Sequence, residues 1–172
     1  TINGWFGNGI AVGGAGFLLN NEMDDFSSKP GIPNAYGLIG NTANAIEPNK
    51  RMLSSMSPTI VNNPDGDLLL VVGSPGGSTI ITTTAQIIMN VVDFNMTIEE
   101  AVEMPRFHHQ WLPDAIQIEE LGFSPETITS LKDRGHMIKY RSTLGEANCI
   151  EIKDGLIYGA ADSRRNSSAV GY

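Results

Sequence analysis

The sequence predicts an α+β fold, with helices layered on a mostly antiparallel sheet, and three observations carry that expectation. Several short segments rich in β-branched and apolar residues are bounded by turn residues, as strands are. Apolar residues step by three or four over 80–92, and two later segments open with helix-start chemistry. The order is strands, a helix pair, then strands, helix and strands, with no repeating βαβ unit. At 172 residues and 41% hydrophobic content, length and composition fit one domain over 1–172 with material for a core.

The elements follow in order. Residues 1–20 read as short strands with glycine turns, and Ala15–Asn20 as a buried strand. Residues 27–51 hold prolines, glycines and asparagines at a density that makes them one long loop, and loops of that length are functional or disordered. Residues 58–72 read as a hairpin, with Asn-Pro-Asp-Gly turn chemistry between PTIV and LLLVV. LLLVV lacks alternation, so both its faces are expected to be covered. After the glycine turn GSPGGST, the apolar residues Ile81, Ala85, Ile88, Met89 and Val92 step by three or four, so the segment reads as a helix. Thr97-Ile-Glu-Glu is a capping-box start to a helix over 97–104, stopped by Pro105. AIQIEE (115–120) reads as an alternating strand, and Ser124-Pro-Glu opens a helix over 124–134 that ends at Gly135. HMIKYR, ANCIEIK and LIYGAA read as strands, the last two joined by a Lys153-Asp-Gly turn.

Composition excludes several functions. A net charge of −8 argues against a nucleic-acid footprint. No apolar run reaches the ~18 residues of a membrane span, and no basic-then-apolar signal pattern opens the chain. A single cysteine, Cys149, leaves no internal disulfide or multi-cysteine metal site. Glycine is the outlier, at 19 of 172 or about 11% against a usual ~7%.

Three segments can carry chemistry. Glu22, Asp24 and Asp25 follow an apolar stretch, where carboxylates can hold an ammonium or a metal, or merely solvate a turn. Ser54 and Ser55 offer two hydroxyls to an anion, although paired serines are also ordinary loop residues. Gly73-Ser-Pro-Gly-Gly-Ser78 lies between a strand and a helix, where successive N–H groups form a nest for phosphate or an oxyanion. The turn lacks the lysine of a P-loop. His108 and His109 are adjacent, so on a strand they point to opposite faces and do not form a metal pair. Cys149, in an apolar strand, reads as an inert buried thiol. Thr1 is of a type that can serve as an N-terminal nucleophile.

Taken together, TIN (1–3), NNEMDDFS (20–27), PNKRMLSSMSPTI (48–60), GSPGG (73–77), PRFHHQWLPD (105–114) and the terminal GY (171–172) resemble the small catalytic subunit of the gamma-glutamyltransferases, which are N-terminal-nucleophile hydrolases. The resemblance covers the whole chain in order. It implies a four-layer αββα sandwich lacking its first strand, because the family's opening Thr-Thr or Thr-Ser stretch precedes TIN. Thr1 then corresponds to the second threonine, which supports the nucleophile's amine, and the attacking threonine lies upstream. Residues 1–172 alone are accordingly expected to be inactive.

By the same resemblance, Asn3, Glu22 and Asp25 hold the glutamyl α-ammonium, and Ser54 and Ser55 hold the α-carboxylate with an arginine of the large subunit. Gly76 and Gly77 form the oxyanion hole. The loop at 30–41 is a lid with Tyr36 as its gate. The implied reaction is γ-glutamyl transfer or hydrolysis on glutathione through a threonine acyl-enzyme. It needs no cofactor or metal and uses water, amino acids or peptides as acceptors. The implied partner is the large subunit from the same precursor, in the periplasm or secreted. A cephalosporin or glutaryl acylase of the same hydrolase group, an inactive glutamate-binding fragment, and nucleotide binding at GSPGG are the alternatives.

Overall fold

The computed structural model describes residues 1–171, so the Tyr172 of the terminal GY lies outside them. The chain forms two compact units, Thr1–Met56 and Ser57–Tyr172.

The first unit holds turns rather than strands among its described residues. It contains the 3-10 turns Glu22–Asp25 and Thr42–Asn44 and two isolated antiparallel bridges, Ala11↔Leu18 and Pro33↔Ile39. The expected strand at Ala15–Asn20 is therefore reduced to a hairpin rung, with Val12 N–H donating to Phe17 O and Leu19 N–H to Ile10 O, both at 2.9 Å. Phe17 and Leu19 are exposed. The cause lies in the facing segment. Gly4, Gly7, Gly9, Gly14 and Gly16 all sit at positive φ, which glycine adopts freely but which breaks an extended ladder. The long loop is ordered by its own side chains. Asn34 Oδ1 accepts from the Tyr36 and Leu38 amides at 2.9 and 3.0 Å, folding a small hairpin with Tyr36 at its tip.

The second unit carries the regular structure. Strands β1 (Thr59–Asn62) and β2 (Leu68–Gly73) form the expected hairpin. Helix α1 (Ile80–Val92) and helix α2 (Ile98–Glu103) follow, then β3 (Phe107–His108), β4 (Ile116–Glu119), α3 (Pro125–Asp133), β5 (Ile138–Arg141), β6 (Asn148–Lys153) and β7 (Leu156–Ala161). One sheet runs β1-β2-β6-β7 and is antiparallel throughout. The other runs β3-β4-β5, and its β4/β5 pair is parallel. A parallel pair needs a crossover, and α3 supplies it. The α+β expectation is met.

Local chemistry sets the boundaries. Thr97 and Glu100 close a reciprocal capping box at α2. Ser124 Oγ accepts from Thr127 N–H, with Pro125 in the first turn of α3. Asp154 and Gly155 take φ of 52° and 75° in the two-residue β6–β7 turn, the left-handed pair such a hairpin needs.

Leu70, Val72, Ile87, Val91, Ile98, Val102, Ala147 and Cys149 share one buried cluster where α1 and α2 cover the four-stranded sheet. One expectation is corrected here. LLLVV is not covered on both faces, because Leu70 and Val72 are buried, Leu69 and Val71 are half-buried and Leu68 is exposed. Helix α1 forms as expected and packs one face against the core. Ile80, Thr83, Thr84, Gln86, Ile87 and Val91 face inward, while Ile81, Met89 and Val92 are exposed. The helix is apolar on two sides, so hydrophobicity alone does not choose between them. Hydrogen bonds break the tie, with the Gln86 amide donating to Phe107 O at 2.8 Å and accepting from Phe107 N–H at 3.1 Å.

Candidate functional site

The first unit gathers most of the residues expected to hold a glutamyl group. Asp25 closes the 3-10 turn Glu22–Asp25. Its Oδ1 accepts from Asn3 Nδ2 at 2.8 Å and its Oδ2 from Ser55 Oγ at 3.3 Å. Ser55 Oγ is also 3.4 Å from Asn3 Oδ1, so the three side chains form a closed ring. Glu22 Oε1 lies 3.5 Å from the Thr1 amino nitrogen. Ser54 is not in the ring. Its hydroxyl turns back on Met56, donating to the carbonyl and accepting from the amide at 3.2 Å.

Asparagines hold this ring in place, and residue-type reasoning missed them. Asn21 Oδ1 accepts from Asn3 N–H at 2.8 Å. Asn44 Nδ2 donates to Asp25 O at 2.7 Å, and its Oδ1 accepts from Leu53 N–H at 3.0 Å. One side chain thus ties the acidic turn to the serine segment. The signal was the asparagine density of the long loop, which reads as turn chemistry until the partners are known.

In the second unit, the Gly73–Gly77 turn connects β2 to the 3-10 turn Gly77–Thr79, which runs into α1. Gly76 and Gly77 take φ of 145° and 57°. A Cβ on Gly76 would stand 2.5 Å from Thr79 Oγ1 and 3.3 Å from Gly145 Cα, so only glycine fits. Thr79 Oγ1 donates to Gly76 O at 2.9 Å, which occupies that carbonyl. The first amides of a helix have no acceptor within it and sit at its positive end. Gly76 is the N-cap and Gly77 the first residue of the 3-10 turn that runs into α1, the position at which such N–H groups occur.

A buried ionic network supports the loop that abuts this turn. Arg106, 2% exposed, pairs through Nη1 with Asp162 Oδ2 at 2.7 Å and donates to Leu144 O at 2.8 Å. Arg164 grips Glu119 with Nε and Nη2, at 2.6 and 2.7 Å. Glu119 also accepts from the Arg106 and Leu144 amides, both at 2.9 Å. Burial alone would raise the Glu119 and Asp162 pKa values. The Arg164 hydrogen bonds at Glu119, and the Ala147 amide and Arg106 charge at Asp162, outweigh it and hold both below the ordinary range. Glu119 is buried for this reason, which overrides the inside–outside alternation expected of β4. Next in the loop, Gly145 fits against Thr83 and Ser74, and Ser74 Oγ accepts from Glu146 N–H at 3.0 Å. Arg106 sits in the PRFHHQWLPD motif, where the paired histidines drew attention instead.

Those histidines are structural. His108 is buried between Thr82 Oγ1 at 2.8 Å and Gln110 Oε1 at 2.9 Å, while His109 is on the exposed side, near Asp114. No group of three His, Cys, Asp or Glu among the described residues could hold a metal. Cys149 is buried and burial pushes its thiol up to about 11, so it is inert as expected. No helix among the described residues is long and apolar enough to cross a membrane.

The Gamma-glutamyltranspeptidase family model matches residues 1–172. The chain belongs to that family. The glutathione hydrolase proenzyme of Escherichia coli is 53% identical over 95% of the chain. The crystal structure of a mutant gamma-glutamyltranspeptidase from Helicobacter pylori is 54% identical with a TM-score of 0.88, covering 96% of this chain and 90% of that one. The gamma-glutamyltranspeptidase of Pseudomonas nitroreducens, complexed with L-DON, is 45% identical with a TM-score of 0.88, covering 100% and 90%. The α+β fold is thus that of gamma-glutamyltranspeptidase structures. The chain spans 28% of the length of the E. coli proenzyme.

Proposed function

We propose that this chain supplies the glutamyl-binding and oxyanion-stabilising residues of an enzyme that transfers or hydrolyses the γ-glutamyl group of glutathione and related compounds. The attacking hydroxyl belongs to a threonine outside residues 1–172, and Thr1 supports that threonine's amine. The partner is the large subunit from the same precursor, and the enzyme works in the periplasm or is secreted. No cofactor takes part.

The observation that carries this reading is the Asp25 ring. A carboxylate offers about four lone-pair sites, and Asn3 and Ser55 fill one on each oxygen. The remaining sites have fixed directions and suit an α-ammonium through charge-assisted hydrogen bonds. Glu22 adds a second carboxylate on the same 3-10 turn. Ser54, after a hydroxyl rotation away from Met56, and Ser55, by turning its one O–H from Asp25 to the ligand, take the α-carboxylate, which opens the Asp25 Oδ2 site to the α-ammonium. Fixing both ends of the amino acid positions the γ-carbonyl for attack.

The threonine oxygen then bonds to the γ-carbon. The oxyanion that forms accepts from the Gly76 and Gly77 amides. The hydroxyl proton passes through the nucleophile's amine to the departing nitrogen as the C–N bond breaks. Water or an acceptor amine attacks the resulting ester and returns a proton to the threonine oxygen. The Asn34-pinned hairpin at 30–41, with Tyr36 at its tip, serves as the lid that limits water entry.

A comparison of γ-glutamyl-p-nitroanilide with glutaryl-p-nitroanilide tests the reading. The enzyme containing this chain is expected to prefer the γ-glutamyl compound by at least 100-fold in kcat/KM. Preference for the glutaryl compound, which lacks the α-ammonium, would make it an acylase instead.

A further inference from the structure

Two side-chain hydroxyls grip the carbonyls of the Gly76–Gly77 turn. Ser74 Oγ donates to Pro75 O at 2.6 Å. Thr79 Oγ1 donates to Gly76 O at 2.9 Å, and Thr79 N–H reaches the same oxygen at 3.1 Å. Each carbonyl belongs to a peptide unit that also carries one of the amides assigned to the oxyanion. Pro75 O shares its plane with Gly76 N–H, and Gly76 O shares its plane with Gly77 N–H.

A peptide unit is planar, and in the trans form its C=O and N–H bonds point in opposite directions. Both units are trans, since the cis bond among the described residues is Leu112–Pro113. Holding one end of such a plane therefore aims the other. The two planes meet at Gly76, which has no Cβ to restrict their rotation. A flip of the Pro75–Gly76 plane would put a carbonyl oxygen where the N–H had been, and a carbonyl oxygen repels an oxyanion.

Ser74 is itself fixed. It is 4% exposed, and its oxygen accepts from Glu146 N–H at 3.0 Å. A hydroxyl has a single proton, and that of Ser74 goes to Pro75 O. The loop that supplies the Glu146 amide is anchored two residues earlier. Leu144 donates its N–H to Glu119 Oε1 at 2.9 Å, and its carbonyl accepts from Arg106 Nη1 at 2.8 Å. The buried ionic network thus reaches the turn through one hydroxyl. The hold by Thr79 is doubled, because its N–H remains on Gly76 O when the hydroxyl is removed.

We propose that Ser74 and Thr79 are positioning residues for the oxyanion site, Ser74 aiming the Gly76 amide and Thr79 the Gly77 amide. The proposal rests on the reading of those two amides as the oxyanion donors.

Ser74→Ala, Thr79→Val and Thr79→Ser, made in the enzyme containing this chain, test it with two inhibitors. L-Norvaline keeps the α-ammonium and α-carboxylate and has a methyl in place of the reacting carbonyl. 2-Amino-4-boronobutanoic acid keeps the same groups and has boron there, which becomes tetrahedral and anionic when the threonine oxygen adds to it. The ratio of the two Ki values is read on folded enzyme alone, so loss of folded protein leaves it unmoved. Ser74→Ala is expected to raise the boronate Ki about tenfold relative to that of norvaline and to lower kcat for γ-glutamyl-p-nitroanilide by a similar factor. That is less than the outright loss of a donor, because the freed plane still visits the productive orientation. Thr79→Val is expected to move the ratio about threefold, and Thr79→Ser, which keeps the hydroxyl, to recover most of that loss. An unchanged ratio in Ser74→Ala would overturn the hold on Gly76, and one in Thr79→Val the hold on Gly77. Gly76→Ala separates these failures from that of the underlying reading. If it too left kcat and the ratio unchanged, the oxyanion assignment itself would fall.

Discussion

The two units reach order by different means. Ser57–Tyr172 has sheets, helices and a shared apolar core. In Thr1–Met56, Phe26 is the single buried hydrophobic residue among those described. There the chain is held by short polar bridges such as Asn3–Asp25, Asn44–Asp25 and Asn34–Tyr36. The difference separates fold from recognition. A core can fix backbone position to the precision that the proposed oxyanion role of the Gly76–Gly77 turn would need. A web of side-chain amides leaves polar groups at the surface, where a charged substrate can replace water.

If that division is right, the largest effect comes from the backbone turn. Gly76→Ala, at φ 145° with no room for a Cβ, is expected to lower kcat for γ-glutamyl-p-nitroanilide by about 10²–10³-fold, the cost of losing one oxyanion donor. Next is the buried network. Arg106→Met removes one of the two guanidinium partners of buried Asp162, leaving Arg164 Nη1 at 3.1 Å, and is expected to cost about 3 kcal/mol in urea denaturation.

The same network sets an acid limit. Glu119 and Asp162 are lowered on folding, so at pH values between the folded and unfolded pKa the unfolded chain binds more protons. Their contribution is present above the ordinary carboxylate values of 4.5 and 3.8 and is lost as pH falls through the lower folded values. The thermal midpoint should therefore stay flat above about pH 5 and drop below about pH 4. A midpoint that rose on acidification would contradict the assignment.

Smaller effects sharpen the contrast. Ile87→Ala, in the core, is expected to cost about 2–5 kcal/mol. Ile81→Ala, on the exposed side of the same helix, should cost under about 0.5 kcal/mol in the isolated chain. Asn44→Ala removes the bond to Asp25 O and the bond from Leu53 N–H, and should raise KM for γ-glutamyl donors a few-fold, with a thermal midpoint near that of the wild type.

How much was legible in the sequence follows the same divide. Capping boxes, hairpin turns and glycine positions are local, so α2, α3, the β6–β7 turn and the Gly76–Gly77 junction could be read directly. The inner face of α1 could not, because the residues that choose it are Gln86 and its partner Phe107, 21 positions away. Arg106 looked like part of a histidine motif because its partners, Asp162 and Leu144, lie far along the chain. In the first unit the resemblance named Asn3, Asp25 and Ser55, which come together. It also named Ser54, which turns aside. Asn21 and Asn44 were hidden because asparagine is an ordinary turn residue.

The central claim is that Asp25 recognises the α-ammonium. Its most direct test is Asp25→Asn, which keeps the shape of the ring and removes the charge. Hydrolysis of γ-glutamyl-p-nitroanilide and of glutaryl-p-nitroanilide would be measured on the same protein. The expected result is a KM for the γ-glutamyl compound raised by about 100-fold, a KM for the glutaryl compound unchanged or lowered, and a thermal midpoint close to wild type. A γ-glutamyl KM that did not move, or that moved equally for both compounds, would contradict the claim.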